Sequence, residues 1–486
     1  MAFGALLGVK RPTGAGLSAF DEMLTGQAGV RAPYRRFQSW FETQVPQTLS
    51  VKAQEAEGFF RRTGITFNVY GQEEAAERLI PFDLVPRIIS GQEWKRLAEG
   101  IEQRVRALNA FLDDIYHDQE IVKAGIVPSR LIEGNEAFIP HMTGFRPPGG
   151  VYTHIIGVDI VRTAENQFYV LEDNARTPSG VSYMIENRET MMQMFPELFA
   201  QNRVRPVETY PRHLRRSLQA VAPPACKGTP RVAILTPGIH NSAYYEHAFL
   251  ADQMGVELVE GTDLRLVDGR IAMRTTEGYL PIDVLYRRVD DAYLDPEVFK
   301  PESVLGVPGI MDVYRRGGIT IANAPGTGIS DDKAIYSYMP EIVEFYTGQP
   351  AILENVPTWR CAEESSLAYV LENLKDLVVK EVHGSGGYGM LVGPAASKAE
   401  REAFAGKLRT RPGNYIAQPT LALSTVPILT EKGLAPRHVD LRPFVLVSDT
   451  VKIIPGGLTR VALKEGSLVV NSSQGGGTKD TWVLED

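Results

Sequence analysis

The chain has 486 residues, 43% of them hydrophobic, and a formal net charge of −8 at pH 7. This length suits roughly two to four domain-sized units, each with its own core. Acidic and basic residues are interspersed, so a surface for nucleic acid is not expected. The longest apolar stretches fall short of the roughly 20 residues that span a bilayer. The N-terminal residues lack the basic and apolar regions of a secretion signal. We therefore expect a cytoplasmic protein that does not bind a membrane.

Cysteine usage excludes two further classes of protein. Cys226 and Cys361 are the only cysteines, and their spacing matches neither a zinc site nor a redox pair. A disulfide framework and a structural zinc ion are therefore not expected. Both thiols are predicted to lie in or near a core.

Residues 1–135 are predicted to be mainly helical. Between Gly91 and Gly125, helical spacing relates the apolar residues Trp94, Leu97, Ile101, Val105, Leu108, Leu112 and Ile115. This spacing predicts a helix with one buried face. The pattern then changes within residues 136–205, where two extended runs read HIIGVDIVR and QFYVLEDNAR. The polar turn Ala164-Glu165-Asn166 joins them, which predicts a β-hairpin.

The rest of the chain alternates strand-like and helical segments. Residues 206–330 contain RVAIL, SAYYEHAFLADQMG, VELVE and IDVLYRRV, an order that predicts a small parallel sheet. Residues 331–425 contain the strand-like LVVKEV and NYIAQPT and the helical SKAEREAFAGKL. Residues 426–486 alternate apolar and polar positions between glycine turns, as expected for a mainly antiparallel sheet. The fold class is therefore α/β with α+β elements.

A glycine-rich segment follows the strand that ends in Lys380. The sequence VVKEVHGSGGYGM places four glycines within six residues, and each costs roughly 0.5–1 kcal/mol relative to alanine in an ordered element. A phosphate loop would carry its lysine after the glycines, and a dinucleotide loop would open onto a helix. The order here instead predicts a hairpin flap whose backbone N–H groups close over phosphates beside Lys380. The alternative is an ordinary glycine-rich hairpin beside a surface lysine.

Two carboxylates and an amide in the predicted hairpin suggest a metal site. Alternation along a strand places Glu172 and Asn174 on one face, which Val170 should share. Asp159 on the preceding strand would reach the same place. This all-oxygen set suits Mg²⁺ rather than zinc. The alternative is a strand that simply ends in a polar loop. The following ARTPSGVSY carries three candidate anion-binding residues: Arg176, Ser179 and Ser182.

Taken together, these segments resemble the ATP-grasp enzymes. Lys333 in DDKAIYSYMPE, Lys380 before HGSGGYGM and Gln418 in YIAQPT resemble that family's first lysine, second lysine with glycine flap, and adenine-facing strand. Many members have glutamate where this chain has Gln418. The later segments DLRPFVLV, GGLTRVAL and VVNSSQGGG resemble the sheet that faces phosphate and substrate, where Asp440, Arg442, Arg460 and Asn471 would lie.

The metal-ligand motif precedes these segments, whereas the usual ATP-grasp order places it after them. This reversed order is similar to that of the circularly permuted ATP-grasp proteins, such as glutathionylspermidine synthetase and eukaryotic glutathione synthetase. The segments LEDNARTPSGVSYMIENR and NSSQGGGTKDTWVL most resemble the sequences of the circularly permuted ATP-grasp type 2 proteins. The resemblance implies a circularly permuted ATP-grasp fold with a helical N-terminal region. Residues 206–330 would be a Rossmann-like pre-ATP-grasp subdomain, and residues 331–425 an ATP-binding lid.

The resemblance also implies a reaction and its residues. ATP and two Mg²⁺ ions would serve a carboxylate–amine ligase that forms an acyl phosphate and releases ADP. Glu172 would bridge the ions, with Asp159 on one and Asn174 on the other. Lys333 and Lys380 would hold the phosphates. The remaining implied nucleotide-binding residues are Gly384, Ser385, Gly386, Gly387, Tyr388, Gly389 and Gln418, and the implied catalytic residues are Arg460, Arg442, Arg176 and Asn471.

Several alternatives stay open at this stage. Each arginine has a surface salt bridge as its alternative role. The enzyme class has two alternatives, a kinase that stops at phosphoryl transfer and a non-catalytic nucleotide- or peptide-binding protein. His240 and His247 are predicted to be structural, whereas YRRVDD ends a strand where α/β sheets often bind ligands. The substrates would be small-molecule or peptide carboxylates and amines. Relatives of this kind often accompany transglutaminase-like and small helical proteins, which suggests peptide or isopeptide chemistry.

Overall fold

The computed structural model describes residues 19–486 except 27–28, 65, 69–76, 383–388, 468–469 and 471–474, and it describes only the backbone at 66–68 and 77–79. The α-helices are α1 Arg35–Phe41, α2 Pro46–Thr63, α3 Gly91–Ile115, α4 Glu120–Lys123, α5 Arg130–Glu133, α6 Val181–Met194, α7 Pro196–Gln201, α8 Tyr210–Ala220, α9 Tyr244–Met254, α10 Asp291–Leu294, α11 Ile310–Arg315, α12 Lys333–Tyr336, α13 Met339–Thr347, α14 Glu364–Asn373 and α15 Lys398–Thr410. Short 3₁₀ helices span Ala32–Tyr34, Pro140–Met142, Pro148–Gly150, Gly261–Asp263, Thr327–Asp331, Leu374–Asp376 and Pro412–Asn414.

The strands belong to several sheets of mixed type. They are β1 Thr66–Asn68, β2 Glu77–Leu79, β3 Phe82–Ile89, β4 Ile155–Ala164, β5 Gln167–Asn174, β6 Val232–Leu235, β7 Glu257–Val259, β8 Leu264–Val267, β9 Arg270–Thr275, β10 Gly278–Pro281, β11 Val284–Arg287, β12 Thr320–Ala322, β13 Glu354–Asn355, β14 Trp359–Arg360, β15 Leu377–Glu381, β16 Leu391–Val392, β17 Tyr415–Pro419, β18 Thr425–Thr430, β19 Gly433–His438, β20 Phe444–Val447, β21 Val451–Ile453, β22 Thr459–Val461 and β23 Gly477–Val483. The predicted α/β class is confirmed.

Helix α3 confirms the longest helical prediction. Ser90 caps its N-terminus by accepting a hydrogen bond from the Glu93 N–H, and the Glu93 side chain accepts in return from the Ser90 N–H. This reciprocal capping satisfies two backbone donors that have no partner within the helix. All seven apolar residues of the predicted stripe are buried. The helix ends at Ile115 rather than continuing to Gly125, and Gln119 has a positive φ of 54° before α4 begins.

The predicted hairpin is β4–β5, at the centre of a five-stranded sheet of order β13-β5-β4-β20-β21. Its register places Asp159 opposite Glu172 and Ile160 opposite Val170, so Leu171 is an extra residue in β5. Such a bulge shifts the alternation of side chains. Val170 is therefore buried in the core rather than sharing the face of Glu172, and the prediction for Val170 was wrong.

Residues 206–330 form the predicted parallel sheet, of order β12-β11-β6-β7. Helices α8 and α9 pack against it, and their buried leucines, among them Leu214, Leu218 and Leu250, share one core with strand residues. The antiparallel strands β8, β9 and β10 form a separate small sheet within this segment. The chain order of β6, β7 and β11 puts a change of winding direction between β6 and β11, because β7 lies on one side of β6 and β11 on the other.

The segment that carries the two predicted lysines forms a further sheet, of order β14-β17-β15-β16. β15 and β17 are the predicted strands LVVKEV and NYIAQPT, and they pair antiparallel with Val378 opposite Gln418. Helix α15, capped by Ser397 and Glu400, covers this sheet with α14. The glycines at 384, 386 and 387 of the predicted flap lie outside the described residues.

The C-terminal strands pair antiparallel with one another, as predicted, but they belong to three sheets rather than one. β20 and β21 join the hairpin sheet, β18 pairs with β19, and β22–β23 pairs with the N-terminal strand β3. The β3–β23 pairing is parallel. Strand β3 lies within the segment that was predicted to be mainly helical. Its seven C-terminal residues are buried, and its partner lies almost 400 residues away, so local pattern carries no signal for this pairing.

Candidate nucleotide and metal site

The hairpin, the segment before β20 and strand β22 bring two carboxylates and two arginines into one buried network. Arg442 donates from Nε and Nη2 to the two carboxylate oxygens of Asp159, the second bond measuring 2.8 Å. Arg460 donates from Nη2 to Asp159 Oδ2 at 2.7 Å and from Nε to Asp440 Oδ2 at 2.9 Å. Burial alone would raise the pKa of Asp159, but the charges of Arg442 and Arg460 outweigh it and hold that pKa well below its usual range. Asp159 is therefore ionised at neutral pH.

Glu172 lies beside this network with weaker contacts. Its carboxylate oxygens are 3.8 Å from Arg442 Nη2 and 4.0 Å from Lys333 Nζ. The Glu172 side chain is 32% exposed, compared with 1% for Asp159. Three cationic residues predicted for phosphate chemistry, Lys333, Arg442 and Arg460, thus surround the Asp159–Glu172 pair.

The second lysine lies on β15 in the same field of charges. Lys380 Nζ donates to Gln418 Oε1 at 2.7 Å, and Gln418 Nε2 donates to Thr358 Oγ1 at 3.1 Å. Burial lowers the pKa of Lys380 to about 8, with Glu172 and Asp159 opposing the fall and Lys333 adding to it. The Lys333 N–H donates to Val382 O just after β15 at 3.3 Å, and Lys333 Nζ lies 4.0 Å from Glu172, so Lys333 links the β15 strand to the hairpin. Gln418 lies where its amide orients the second lysine.

The oxygen donors fit Mg²⁺ unequally. Carboxylate and amide oxygens are the ligands that Mg²⁺ prefers. Glu172 and Asn174 fit this role, since Glu172 has loose ion pairs and Asn174 lies on the same strand face. Asp159 shares its oxygens with two guanidinium groups and accepts a 3.5 Å contact from Asn174 Nδ2. Asp159 would therefore reach a metal only through an oxygen that it also shares with arginine.

The residues before Lys333 attach it to the end of the hairpin. Asp331 accepts hydrogen bonds from the N–H groups of Ala175 and Arg176 at 2.6 and 3.2 Å. Asp332 caps α12 by accepting from the Ala334 N–H. Burial raises the pKa of Asp331 to about 7, although the two N–H groups and Arg176 oppose that rise. Sequence reasoning missed Asp331, and the consecutive acidic pair before Lys333 was its only signal.

Arg176 does not join the two arginines of the buried network. Its side chain is 42% exposed, with Nη1 3.5 Å from Asp290 and Nε 4.0 Å from Asp331. The structure therefore places Arg176 at the edge of the site, between the hairpin and the α/β unit.

The serines of the Pro/Gly turn do not form an open anion site. Ser182 Oγ and the N–H groups of Gly180 and Ser182 all donate to Glu246 Oε2, at 2.8 to 3.1 Å. Ser179 Oγ accepts from Arg288, which also donates to Pro178 O at 2.7 Å. The protein's own carboxylate thus fills the place predicted for an anionic ligand. The expectation for Ser179 and Ser182 was wrong, because Arg288 satisfies Ser179 and Glu246 satisfies Ser182, both from distant segments of the chain.

Two other conspicuous groups have structural contacts. Arg287 is fully buried and donates to the carbonyls of Val289, Asn323 and Ala324. His247 is buried and shares a 2.9 Å hydrogen bond with Thr236. Burial lowers the pKa of the His247 imidazole to about 2, so it stays neutral. These contacts agree with the structural role predicted for His247.

Some predicted residues lie outside the described part of the chain: Gly384, Ser385, Gly386, Gly387, Tyr388 and Asn471. Gly389, the last flap glycine, has φ +71°, and a Cβ there would lie 2.6 Å from the Glu381 carboxylate. Both the backbone angle and the close approach favour glycine at this position.

Comparison with known proteins identifies the architecture. A family model described as circularly permuted ATP-grasp type 2 matches residues 86–462. The chain belongs to this family. An uncharacterized protein of Synechocystis sp. is 50% identical over 467 residues, which cover 96% of this chain and 97% of that protein. An uncharacterized protein of Mycobacterium tuberculosis is also 50% identical, with coverage of 96% and 84%.

Two further similarities concern a named relative and a solved structure of similar fold. A Frankia alni protein named "Putative glutamate--cysteine ligase 2-3" is 42% identical, and the match covers 96% of this chain but 54% of that protein. The glutathione synthetase-like effector of Globodera pallida has a similar fold, with a TM-score of 0.56 and 12% identity over 91% of this chain and 98% of that one. The predicted permuted ATP-grasp fold is therefore confirmed. Across the described residues, none of the helices combines the length and apolar character needed to cross a membrane.

Proposed function

We propose that this ATP-grasp protein is a ligase that joins a carboxylate to an amine, uses ATP and Mg²⁺, and releases ADP. The observation that carries the proposal is the convergence of Lys333, Lys380, Arg442 and Arg460 around Glu172. Phosphoryl transfer needs charge neutralisation and positioning more than a covalent nucleophile, and this arrangement supplies both. The name of the Frankia relative and the family assignment support a ligase of this type.

The proposed role of each residue follows from its position in the site. Lys333 and Lys380 would hold the phosphates of ATP, and Gln418 would orient Lys380 beside the nucleotide. Arg442 and Arg460 would neutralise the phosphoryl group during its transfer. Glu172 and Asn174, with Asp159, would hold Mg²⁺, which when bound neutralises phosphate charge.

The reaction would proceed in two steps. An oxygen of the acid substrate attacks the γ-phosphorus of ATP, which forms an acyl phosphate and ADP. The amine then attacks the acyl carbon, the C–O bond to phosphate breaks, and the amine loses a proton. Arg176 and Asn471 remain proposed contributors at the acceptor side.

An acyl-enzyme route has less support. Burial raises the pKa of the Cys361 thiol to about 12, so it carries almost no thiolate at neutral pH. The pKa of the Cys226 thiol is also raised, mainly by burial and to a smaller extent by the charge of Asp283. The sequence has no G-x-S-x-G nucleophile motif. The acyl phosphate is therefore the proposed activated species.

The proposal is tested by screening conversion of ATP to ADP with Mg²⁺ against pooled amino acids, peptides and polyamines, with mass spectrometry of the products. A ligase gives an amide only when acid and amine are both present. ADP formation that needs the acid and yields no amide would instead indicate a kinase. ATP binding without turnover in any pool would indicate a binding protein. Lys380→Met, which removes a phosphate-binding charge, is the inactive control.

The biological setting is also proposed. ATP use favours work in the cytoplasm. Small-molecule or peptide acids and amines are the proposed substrates, and functional association with transglutaminase-like and small helical proteins remains a proposal. Co-purification of tagged protein from cells that express it would test this association.

A further inference from the structure

Arg176 and Asp290 form a loose ion pair at the edge of the site. Arg176 Nη1 lies 3.5 Å from Asp290 Oδ1, and the two side chains are 42% and 52% exposed. The Arg176 Nε atom is buried and has no hydrogen-bond partner among the described residues. A guanidinium has five N–H donors, and because the side chain is 42% exposed, the donors at its outer end are open to an anionic ligand.

The position of the Arg176 side chain is fixed by its surroundings. Its backbone N–H donates to Asp331. Its Cδ lies 3.1 Å from the place that a Cβ on Gly328 would occupy, so the stem packs directly on that glycine. A bulkier residue at position 328 would have to move the guanidinium.

The location is one where ligands bind in open α/β sheets. Asp290 follows the carboxyl end of β11, next to the change of winding direction between β6 and β11. Ligands characteristically bind outside the carboxyl ends of strands at such a point. The neighbouring Arg287 and Arg288 donate to backbone and side-chain acceptors within the protein. Arg176 and Asp290 are thus the exposed, loosely paired charges at this edge.

We propose that Arg176 and Asp290 bind the amino acid end of a substrate, with its α-carboxylate on Arg176 and its ammonium on Asp290. A guanidinium and a carboxylate side by side are complementary to the adjacent opposite charges of a zwitterion. Asp290 favours the charged ammonium, so this amine would be an anchor and not the nucleophile. The reacting group must therefore be a second group on the same molecule.

The contacts of Arg176 indicate what that second group is. Arg176 Nε lies 4.0 Å from Asp331 Oδ2, and Asp331 precedes by two residues Lys333, whose Nζ lies 4.0 Å from Glu172 Oε2. A second carboxylate a few bonds from the amino acid end would reach the Glu172 region, where the proposed phosphorylation occurs. The substrate class is therefore a free amino dicarboxylic acid. This assignment rests on the proposed ligase function.

The test measures ligand binding by calorimetry in the presence of Mg²⁺ and a non-hydrolysable ATP analogue. The probes are L-aspartate, L-glutamate and L-2-aminoadipate. Each is compared with its diacid without the ammonium and its amino acid without the α-carboxylate. We expect at least one amino dicarboxylic acid to bind, and both matched analogues to bind at least tenfold more weakly. Failure of all three probes to bind would overturn the proposal.

Variants test whether binding of the amino dicarboxylic acid depends on Arg176 and Asp290. Arg176→Gln and Asp290→Asn should each weaken binding of the amino dicarboxylic acid at least tenfold, without changing affinity for the ATP analogue. Gly328→Ala keeps both charges but displaces the arginine, and should give a smaller loss. Arg316→Gln is the matched control, because Arg316 forms an exposed pair with Asp312 at 2.8 Å on the same unit. Binding that the Arg176 and Asp290 variants leave unchanged would refute the site.

The same variants separate the site from the proposed function. ADP formation from acids without an ammonium, unaffected by Arg176→Gln, would overturn the site and leave the ligase intact. Binding that depends on Arg176 and Asp290, without nucleotide turnover in any pool, would overturn the ligase and leave the site intact.

Discussion

Adjacent carboxylates Glu172 and Asp173 should give opposite phenotypes when each is changed to its amide. Asp173 is fully buried and accepts from Arg104 Nε and Nη2 at 2.7 and 2.5 Å, and Arg104 is 2% exposed. Asp173→Asn leaves a buried guanidinium without its counter-charge, which costs about 3–5 kcal/mol. With an unfolding entropy of roughly 2.1 cal/mol/K per residue, a chain of 486 residues should lose roughly 3–5 °C in Tm.

Glu172→Gln should leave stability almost unchanged. Its two ion pairs are 3.8 and 4.0 Å long and partly exposed, and such pairs contribute at most about 1 kcal/mol each. Deleting the charge should nevertheless reduce Mg²⁺-dependent ADP formation at least 100-fold, because Glu172 is the carboxylate that best fits the metal.

The assay is differential scanning calorimetry of both variants with ADP formation measured in parallel. Arg104→Met combined with Asp173→Leu is the control, because replacing both partners of a buried pair restores stability that a single change removes. A parental rate of ADP formation in Glu172→Gln would refute the metal site. An unchanged Tm in Asp173→Asn would refute the structural role of that pair.

Three further predictions concern charge and packing in the site. Lys380 is charged below its pKa of about 8, so the affinity of the parent protein for ATP should fall as pH rises above 8. The affinity of the Lys380→Arg variant should not change with pH. Calorimetry between pH 7 and 10 checks this, and a parental affinity that does not change with pH would contradict it. The pKa of Asp331 is raised to about 7, so its protonated form stabilises the fold at low pH and this contribution is lost as pH rises through 7. Asp331→Asn should therefore flatten the dependence of Tm on pH between 4 and 8, and an unchanged slope would count against the assignment. A Cβ at position 157 would lie 3.2 Å from Arg442 Cδ, so Gly157→Ala should slow ADP formation without lowering the affinity for ATP. Equal losses of rate and affinity would argue against a role of Arg442 confined to phosphoryl transfer.

Local patterns predicted much of the fold. Helix α3 and its buried stripe, the β4–β5 hairpin and the parallel strands of residues 206–330 all follow from periodicity and turn residues. The parallel pairing of β3 with β23 was not predicted, because the two strands lie almost 400 residues apart in the chain. The bulge at Leu171 was also missed, since it reverses the face of Val170 without any turn-forming residue.

The site, like the fold, was predicted only in part. The resemblance to the ATP-grasp family, based on the order of lysines, glycines and carboxylates, was needed to predict that Lys333, Lys380, Glu172 and Arg442 lie together. The hydrogen-bond partners that satisfy each polar group could not be predicted from the sequence. Glu246 satisfies Ser182 from a distant helix, since side-chain hydrogen bonds between remote segments leave no periodic signal in the sequence.

The central claim is activation of a carboxylate as an acyl phosphate. The most direct measurement follows an ¹⁸O label from the carboxylate of the acid substrate during turnover with ATP, Mg²⁺ and an amine. The account predicts that the label appears in released inorganic phosphate and that the nucleotide product is ADP. Release of AMP and pyrophosphate, with the label in AMP, would mean adenylation and would contradict the account even if the expected amide formed.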